Sequence, residues 1–374
     1  MNASERMAAA MNMLKPDRTP FMCQMSIGHM LRQLNVSPVE FWFDEDTFAE
    51  GLVRLREIYG FDGILISLHG HNPDWRDAIA ARTTTTEGER VVLADGQELI
   101  FPVNDLPQPV NQIRSKSALS EIQVASLPDI LDYIPVSQGL HFGIDQRNKF
   151  GVIEKIVSSA GKDYSIHGEI TSPFDYFLDL VGHQDGLMAL IEMPDKSKEV
   201  LDHFARLIES LAVEMCGTGI DAIKISSPFA GASFISPLFY SEFVLPFERR
   251  IVQAIRNKGV HAYLHTCGVI GDRLKMMYDS GISGIECLDP PPLGNVELEA
   301  AMEIARGKGF IKGNIDSVNT LLYGSKDEIL EDARARLEIG NRGTGFILST
   351  ACSIAPEVKR ENILLLKAAV DRWG

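Results

Sequence analysis

Eight short apolar runs, each long enough for one strand and separated by amphipathic helical stretches, limit the fold of this chain more than any other feature. They are Pro20–Met25, Asp62–Ser67, Tyr164–Glu169, Asp221–Ser226, His261–His265, Ile282–Cys287, Phe310–Lys312 and Gly345–Ser349. Strand and helix signals in alternation imply parallel strands joined by crossover helices. The helical patterns are Asp46–Tyr59, which opens on an acidic cap, the long amphipathic Asp195–Cys216, and then Pro237–Asn257, Asp272–Ser280, Val296–Gly307, Lys326–Gly340 and Glu357–Arg372. Eight such units point to an α/β chain closed into a (β/α)8 barrel, the TIM barrel. An open doubly wound sheet would more often show a glycine-rich phosphate loop after its first strand, and none follows Pro20–Met25.

Such a barrel uses about 250 residues. The chain has 374, so the surplus needs a place. We expect one barrel domain over 1–374, with residues 1–19 as an N-terminal helical extension and residues 70–145 as an insertion that shapes the rim. Within that insertion, after the second strand, Thr83–Thr86, Arg90–Leu93 and Glu98–Val103 read as a small β meander, with Glu87-Gly88 and Ala94-Asp95-Gly96 as its turns.

A net charge of −15 argues against a polyanionic partner, nucleic acid above all, because binding one requires concentrated Lys and Arg. No apolar run approaches the roughly 20 residues that cross a bilayer, and the first residues lead into no signal-peptide core, so the expected location is the cytoplasm. Five cysteines in a chain of this length make no disulfide framework. Cys23 and Cys216 read as small buried hydrophobes.

Cys267 and Cys352 read differently. In a barrel the site forms at the C-terminal strand ends. The fifth run ends His265-Thr266-Cys267-Gly268, and the period of two sends His265 and Cys267 to the same side. The eighth run leads through Thr350-Ala351 to Cys352, a third soft ligand just past a strand end. One imidazole and two thiolates favour Zn²⁺, one ion per chain. Three protein ligands leave the open position of a catalytic site.

The chain resembles the uroporphyrinogen decarboxylase superfamily in Ser236-Pro237 followed by Phe243-Val244-Leu245-Pro246-Phe247, in Lys312-Gly313-Asn314-Ile315-Asp316, and in Pro356 and Glu361-Asn362-Ile363. Within it, His265-Thr266-Cys267 with Cys352 resembles the zinc motif of the corrinoid-linked methyltransferases, of the methylcobamide:coenzyme M type. That resemblance implies transfer of a methyl group between a corrinoid and either a thiol or a methylated small-molecule donor. The chain shows no cobalamin-binding D-x-H-x-x-G loop, so the cobamide is expected in trans, on a separate corrinoid protein. The alternative on the same barrel is a uroporphyrinogen decarboxylase-like carbon-acid decarboxylase. It requires arginines in the loop after the first strand to hold a polycarboxylate. Here that loop reads Cys23-Gln24-Met25-Ser26-Ile27-Gly28-His29-Met30, with Arg32 the nearest arginine, as a solvated helix charge. A structural zinc module, the third class, predicts a closed four-ligand site.

Glu169 and Glu286 close the third and sixth strands and are candidate catalytic groups, as a proton acceptor or as the fourth metal ligand. Asn314 and Asp316, after the seventh strand, are candidates for contact with substrate or for orienting a metal-bound histidine. His69 and His71 follow the second strand and are read as substrate contacts, with Trp75 as an apolar wall. Cys287 should point away from Glu286 by strand alternation and is read as packing. The sequence does not rank the methyl donors and acceptors, and oligomeric state is not legible in it.

Overall fold

The computed structural model describes residues 1–110, 118–137 and 139–374. Residues 111–117 and 138, part of the expected 70–145 insertion, lie outside the described residues.

Thirteen strands are present among the described residues, in chain order β1 (Gly63–Ile66), β2 (Ile79–Thr84), β3 (Glu89–Leu93), β4 (Glu98–Phe101), β5 (Gln108–Val110), β6 (Tyr133–Ser137), β7 (Leu140–Gly143), β8 (Ser165–Thr171), β9 (Ala222–Ser226), β10 (His261–Thr266), β11 (Gly284–Cys287), β12 (Phe310–Ile315) and β13 (Phe346–Thr350). Seven of them form one parallel sheet in the order β1-β8-β9-β10-β11-β12-β13. Their interiors are almost wholly buried, as expected where helices cover the outer face and side chains fill the inner one.

The eighth barrel position differs from the sequence expectation. Pro20–Met25 forms no ladder strand; it touches β13 and the loop beyond it through two parallel bridges, Phe21 with Leu348 and Met25 with Ile354. Pro20 has no N–H to give, and the Phe21 N–H is taken by the Asp62 carboxylate at 2.8 Å rather than by a neighbouring carbonyl. On the other side, the Asp62 N–H donates to the Phe21 carbonyl at 2.8 Å just before β1. The curled sheet is thus completed by an irregular segment. Asp62 is itself held by Arg6 and Arg18, at 2.7 and 2.9 Å.

Arg6 lies on the N-terminal helix Ala3–Met11, whose start is secured by a reciprocal Asn2 and Glu5 capping box. Met7, Ala10 and Met11 of that helix pack against Met22, Tyr263, Phe310 and Ile347, a cluster at the N-terminal end of the barrel strands. The extension therefore plugs the end opposite the site. Local signals place the other helices. Asp44 caps Glu45–Tyr59, with Gly60 at a φ of 67° ending it, and Ser325 with Glu328 boxes Lys326–Gly340. Ser172 caps Pro173–Val181, which carries Pro at its start.

The expected three-stranded meander is present as β2-β3-β4, with β2 beginning earlier than expected, and β5, which was not expected, is added beside β4; all pairings are antiparallel. A second hairpin, β6 with β7, was not expected. No helix among the described residues is long and apolar enough to cross a membrane.

Candidate metal centre

Register decides which side chains meet inside the sheet. Glu169 on β8 pairs across from Lys224 on β9, His265 on β10 from Glu286 on β11, and Glu286 from Lys312 on β12. The Lys224 ammonium lies 3.0 Å from Glu169 and 3.6 Å from Glu286, and Lys312 donates to the other oxygen of Glu286. Two cations and two anions thus form one buried chain across four strands. Removing an isolated ion from water costs several kcal/mol, so each of these charges depends on the others. Burial favours neutral Glu286, yet Lys312 and Lys224 outweigh it and hold its carboxyl well below the usual range. The lysines were not singled out from the sequence. The available signal was a cation at the centre of an apolar parallel strand, Ala222-Ile223-Lys224-Ile225 and Phe310-Ile311-Lys312.

This chain of charges orients the histidine. Nδ1 of His265 stands 3.1 Å from Glu286, so an Nδ1–H donates to the carboxylate and Nε2 is the nitrogen turned towards the sulfurs. Nε2 faces Cys267 Sγ at 3.2 Å, and Cys267 Sγ lies 3.8 Å from Cys352 Sγ. Cys352 arrives because the chain beyond β13 is tied over the barrel mouth. The Ala351 N–H donates to the Ile315 carbonyl at 2.7 Å, Ile354 N–H to Gln24 at 2.9 Å, and Ser26 N–H to Ile354 at 3.1 Å.

The three donor atoms all lie within 4.8 Å of one another. A tetrahedral ion with bonds of about 2.3 Å to sulfur and about 2.0 Å to nitrogen needs edges of about 3.8 Å between sulfurs and about 3.5 Å between nitrogen and sulfur. The observed 3.8 and 3.2 Å fit that requirement. The electrostatics agree. Burial opposes a charged His265, but Cys267, Cys352 and Glu286 overcome it and push the imidazole well above its ordinary value. Hydrogen bonding with Cys267 and Cys287 drives the Cys352 thiol far down. Three groups in contact that favour thiolate beside a positive charge have the donor chemistry of a soft cation site.

Cys287 departs from the sequence expectation. Its φ is 88° and that of Leu288 is 60°, so the backbone leaves the strand and alternation no longer applies. Its sulfur, with Cys267 Sγ and an Asp289 oxygen, forms a second group of potential ligands. Burial pushes its thiol far up, which keeps the proton on, and that S–H lies 3.2 Å from Asp289. Asp289 also accepts the Gly268 N–H at 2.6 Å, fixing the turn after Cys267, where Gly268 takes a φ of 74°. Of the remaining cysteines, Cys23 is buried and Cys216 half-buried.

The other sequence candidates fall in separate places. Glu169 lines a cavity of about 550 Å³ at the C-terminal strand ends, which approaches the cysteine and histidine cluster through Ser353, next to Cys352, and Ser226, across from His265. Glu286 lies beneath His265, with its oxygens engaged by His265 and the lysines. Asn314 donates to the Leu288 carbonyl at 2.8 Å and accepts from Arg336 at 3.0 Å, while Asp316 accepts from Val318 and Asn319 within its own loop. His69 is buried with Nδ1 2.9 Å from the Lys149 carbonyl and with Nε2 lacking a partner among the described residues. His71 and Trp75 line a different cavity of about 810 Å³, between the insertion and Trp42 and Phe43. Burial drops the His71 pKa to about 3, and Trp75 donates to Asp44 at 3.2 Å. A further group escaped the sequence reading. Asp175, buried at the first turn of Pro173–Val181 and lining the 550 Å³ cavity, accepts a hydrogen bond from Ser172, and burial pushes its carboxyl up to about 8. Arg32, the arginine nearest the first-strand loop, pairs with Glu357 at 3.3 Å on the surface.

The uroporphyrinogen decarboxylase (URO-D) family model matches residues 95–373, about three quarters of the chain. The chain belongs to the uroporphyrinogen decarboxylase family. Within that family it is similar to a methylcobamide:CoM methyltransferase of Methanosarcina barkeri, 31% identical over 238 residues that cover 61% of this chain and 65% of the relative. A methylcobamide:CoM methyltransferase of Methanosarcina mazei is 25% identical over 373 residues, 96% of this chain and 94% of that one. In the first of these matches the chain spans just under two thirds of the relative's length. Among solved structures, a methyltransferase from Methanosarcina mazei superposes with a TM-score of 0.75 at 22% identity, covering 99% of this chain and 98% of that one. This URO-D family chain therefore has the α/β barrel fold expected from its strand pattern.

Proposed function

We propose that this chain is a zinc-dependent methyltransferase of the uroporphyrinogen decarboxylase family, passing a methyl group between a corrinoid protein and a small thiol or a methylated small-molecule donor. The observation that carries the reading is the trio His265, Cys267 and Cys352, spaced for a tetrahedral ion. The names of the methyltransferase relatives support the same reaction class. The domain reading belongs to this proposal: one barrel over 1–374, with 1–19 as a plug and 70–145 as the rim that a protein-bound cobamide would meet.

Zinc, when bound there, holds a thiol as thiolate at neutral pH or polarises the heteroatom of a methyl donor. The chain's own residues do the rest. Glu286 keeps the His265 proton on Nδ1 and so presents Nε2. Asp289 holds the turn that presents Cys267. Cys267 and Cys352 are half-buried, which leaves a path to the open position. In the thiol-methylating direction, the sulfur–carbon bond forms as the cobalt–carbon bond breaks. That bonding pair would stay on cobalt, taking cobalt(III) to cobalt(I), and the thiol proton would pass to solvent through the cavity that Glu169 lines. Asn314, Asp316 and His69 lie at neighbouring strand ends, while His71 and Trp75 line the separate cavity beside the insertion.

The test is elemental analysis of the purified chain together with a methylcobalamin assay against a panel of thiols, followed by the cobalamin spectrum. About one zinc per chain and zinc-dependent loss of methylcobalamin are expected. Turnover at the same rate without metal, or a protein that binds none, would overturn the reading.

A further inference from the structure

The cavity that approaches the metal centre has an unusual charge balance. Its described lining includes the carboxyl groups of Asp105, Glu169, Asp175 and Asp179 and one imidazole, that of His183, and neither lysine nor arginine is among those residues. The Lys224 ammonium lies behind Glu169, fully buried and shared between Glu169 and Glu286. Asp179 is engaged by His141 at 2.8 Å. Two acids on this wall are placed to meet a ligand. Asp175 is 6% exposed, with one oxygen on Ser172. Glu169 is paired with Lys224 through Oε1. The facing surface is apolar, with Met25, Ile134, Val136 and Phe229.

From this lining, and resting on the methyl-transfer reading above, we infer that the small substrate of this chain carries no negative charge on the part that meets Glu169 and Asp175, and that a protonated amine is the favoured group there. A sulfonate or carboxylate there would face the Glu169 carboxylate with no lysine or arginine of the described lining to pair with it, in a partly desolvated cavity where charges interact far more strongly than in water. An ammonium in the same place gains both acids and the face of Phe229. Burial, with the Glu248 charge adding to it, pushes the Asp175 carboxyl up to about 8, and an adjacent cation is what favours its charged form. The methyltransferase relatives are named for CoM, a thiol that ends in a sulfonate. The inference therefore separates this chain from them by substrate charge.

Three thiols of one length decide it: 2-aminoethanethiol, 2-mercaptoethanol and 2-mercaptoethanesulfonate. Their binding to the cobalt(II)-substituted protein is read from the thiolate-to-cobalt absorption, with each Kd corrected for the ionisation of the free thiol, and turnover is read with methylcobalamin. We expect the amine to bind about tenfold or more tightly than the sulfonate, with the alcohol between them, and the same order in kcat/KM. In Asp175→Asn the ratio of amine to sulfonate affinity should fall by about tenfold. Equal affinity, or preference for the sulfonate, overturns the inference while leaving the methyl-transfer reading intact. Failure of all three thiols to reach the metal or to consume methylcobalamin removes the thiol-methylating reading and the inference with it. The order in the unaltered protein suffices should Asp175→Asn fail to fold.

Discussion

The two walls of the barrel mouth are built in different ways. On the β10–β13 side, His265, Glu286 and Lys312 sit within ladder strands, each fixed by neighbours in register and by a buried charge partner. On the opposite side, Asp175 belongs to the first turn of a helix, and Tyr133–Ser137 to an inserted hairpin. The first wall leaves donor atoms little freedom, which suits an ion whose ligands must hold their distances to a few tenths of an ångström. The second is built from segments that vary without disturbing the sheet, which suits a surface that chooses among substrates. The proposed metal donors are accordingly fixed by the strands and the loops tied to them, and the cavity beside them is lined in part by a helix and an inserted hairpin.

The comparison breaks most directly at Cys352, which reaches the metal wall from the loop after β13. Cys352→Ala should abolish methyl transfer and zinc retention while a thermal scan shows a native-like transition, because the rim contributes little to the core. Full zinc occupancy with normal turnover would mean that another group completes the site, and Cys287 is the neighbour placed to do so. A variant that loses zinc together with its cooperative transition would instead show that this loop carries the fold.

A smaller effect is expected one layer below. Glu286→Gln leaves the ligands in place but removes the carboxylate that orients His265 and neutralises Lys312. Metal competition titration should show affinity about 10–100-fold weaker. Loss of the buried charge partner should cost about 3–5 kcal/mol in denaturant unfolding. Unchanged values in both measurements would show that the charge chain does not support the centre.

The smallest effect lies on the second wall and is read through pH. The Asp175 carboxyl is pushed from 3.8 up to about 8 by burial, so between those values the folded chain keeps a proton that the unfolded chain has released. Its contribution to stability is therefore complete below about pH 4 and is lost as pH rises towards about 8. Asp175→Asn should make the denaturation midpoint fall less, or rise more, between pH 5 and pH 8 than in the unaltered chain, whose other buried groups include Glu248, raised to about 6, and His71 and His167, lowered to about 3, which act in the opposite sense. An identical pH slope in the variant would exclude Asp175 as the group that titrates.

Much of this molecule was determined by the sequence alone. Seven of the eight strands, the caps on the helices, the meander in the insertion and the pairing of His265 with Cys267 all follow from short-range rules: a period of two, a capping residue, a glycine where φ turns positive. The approach of Cys352 came from family resemblance, since no local pattern links residue 352 to residue 267. Only the tertiary structure decided the rest. The carboxylate of Phe21's partner Asp62 reduced the first strand to two bridges, and positive φ at Cys287 turned its sulfur towards Cys267. Lys224, Glu286 and Lys312 became one charge chain, and Asp175 came to line the cavity. Each depends on register or packing between segments tens of residues apart. Alternation tells on which side of its own strand a residue stands, but which charge it meets there is settled only when distant strands align.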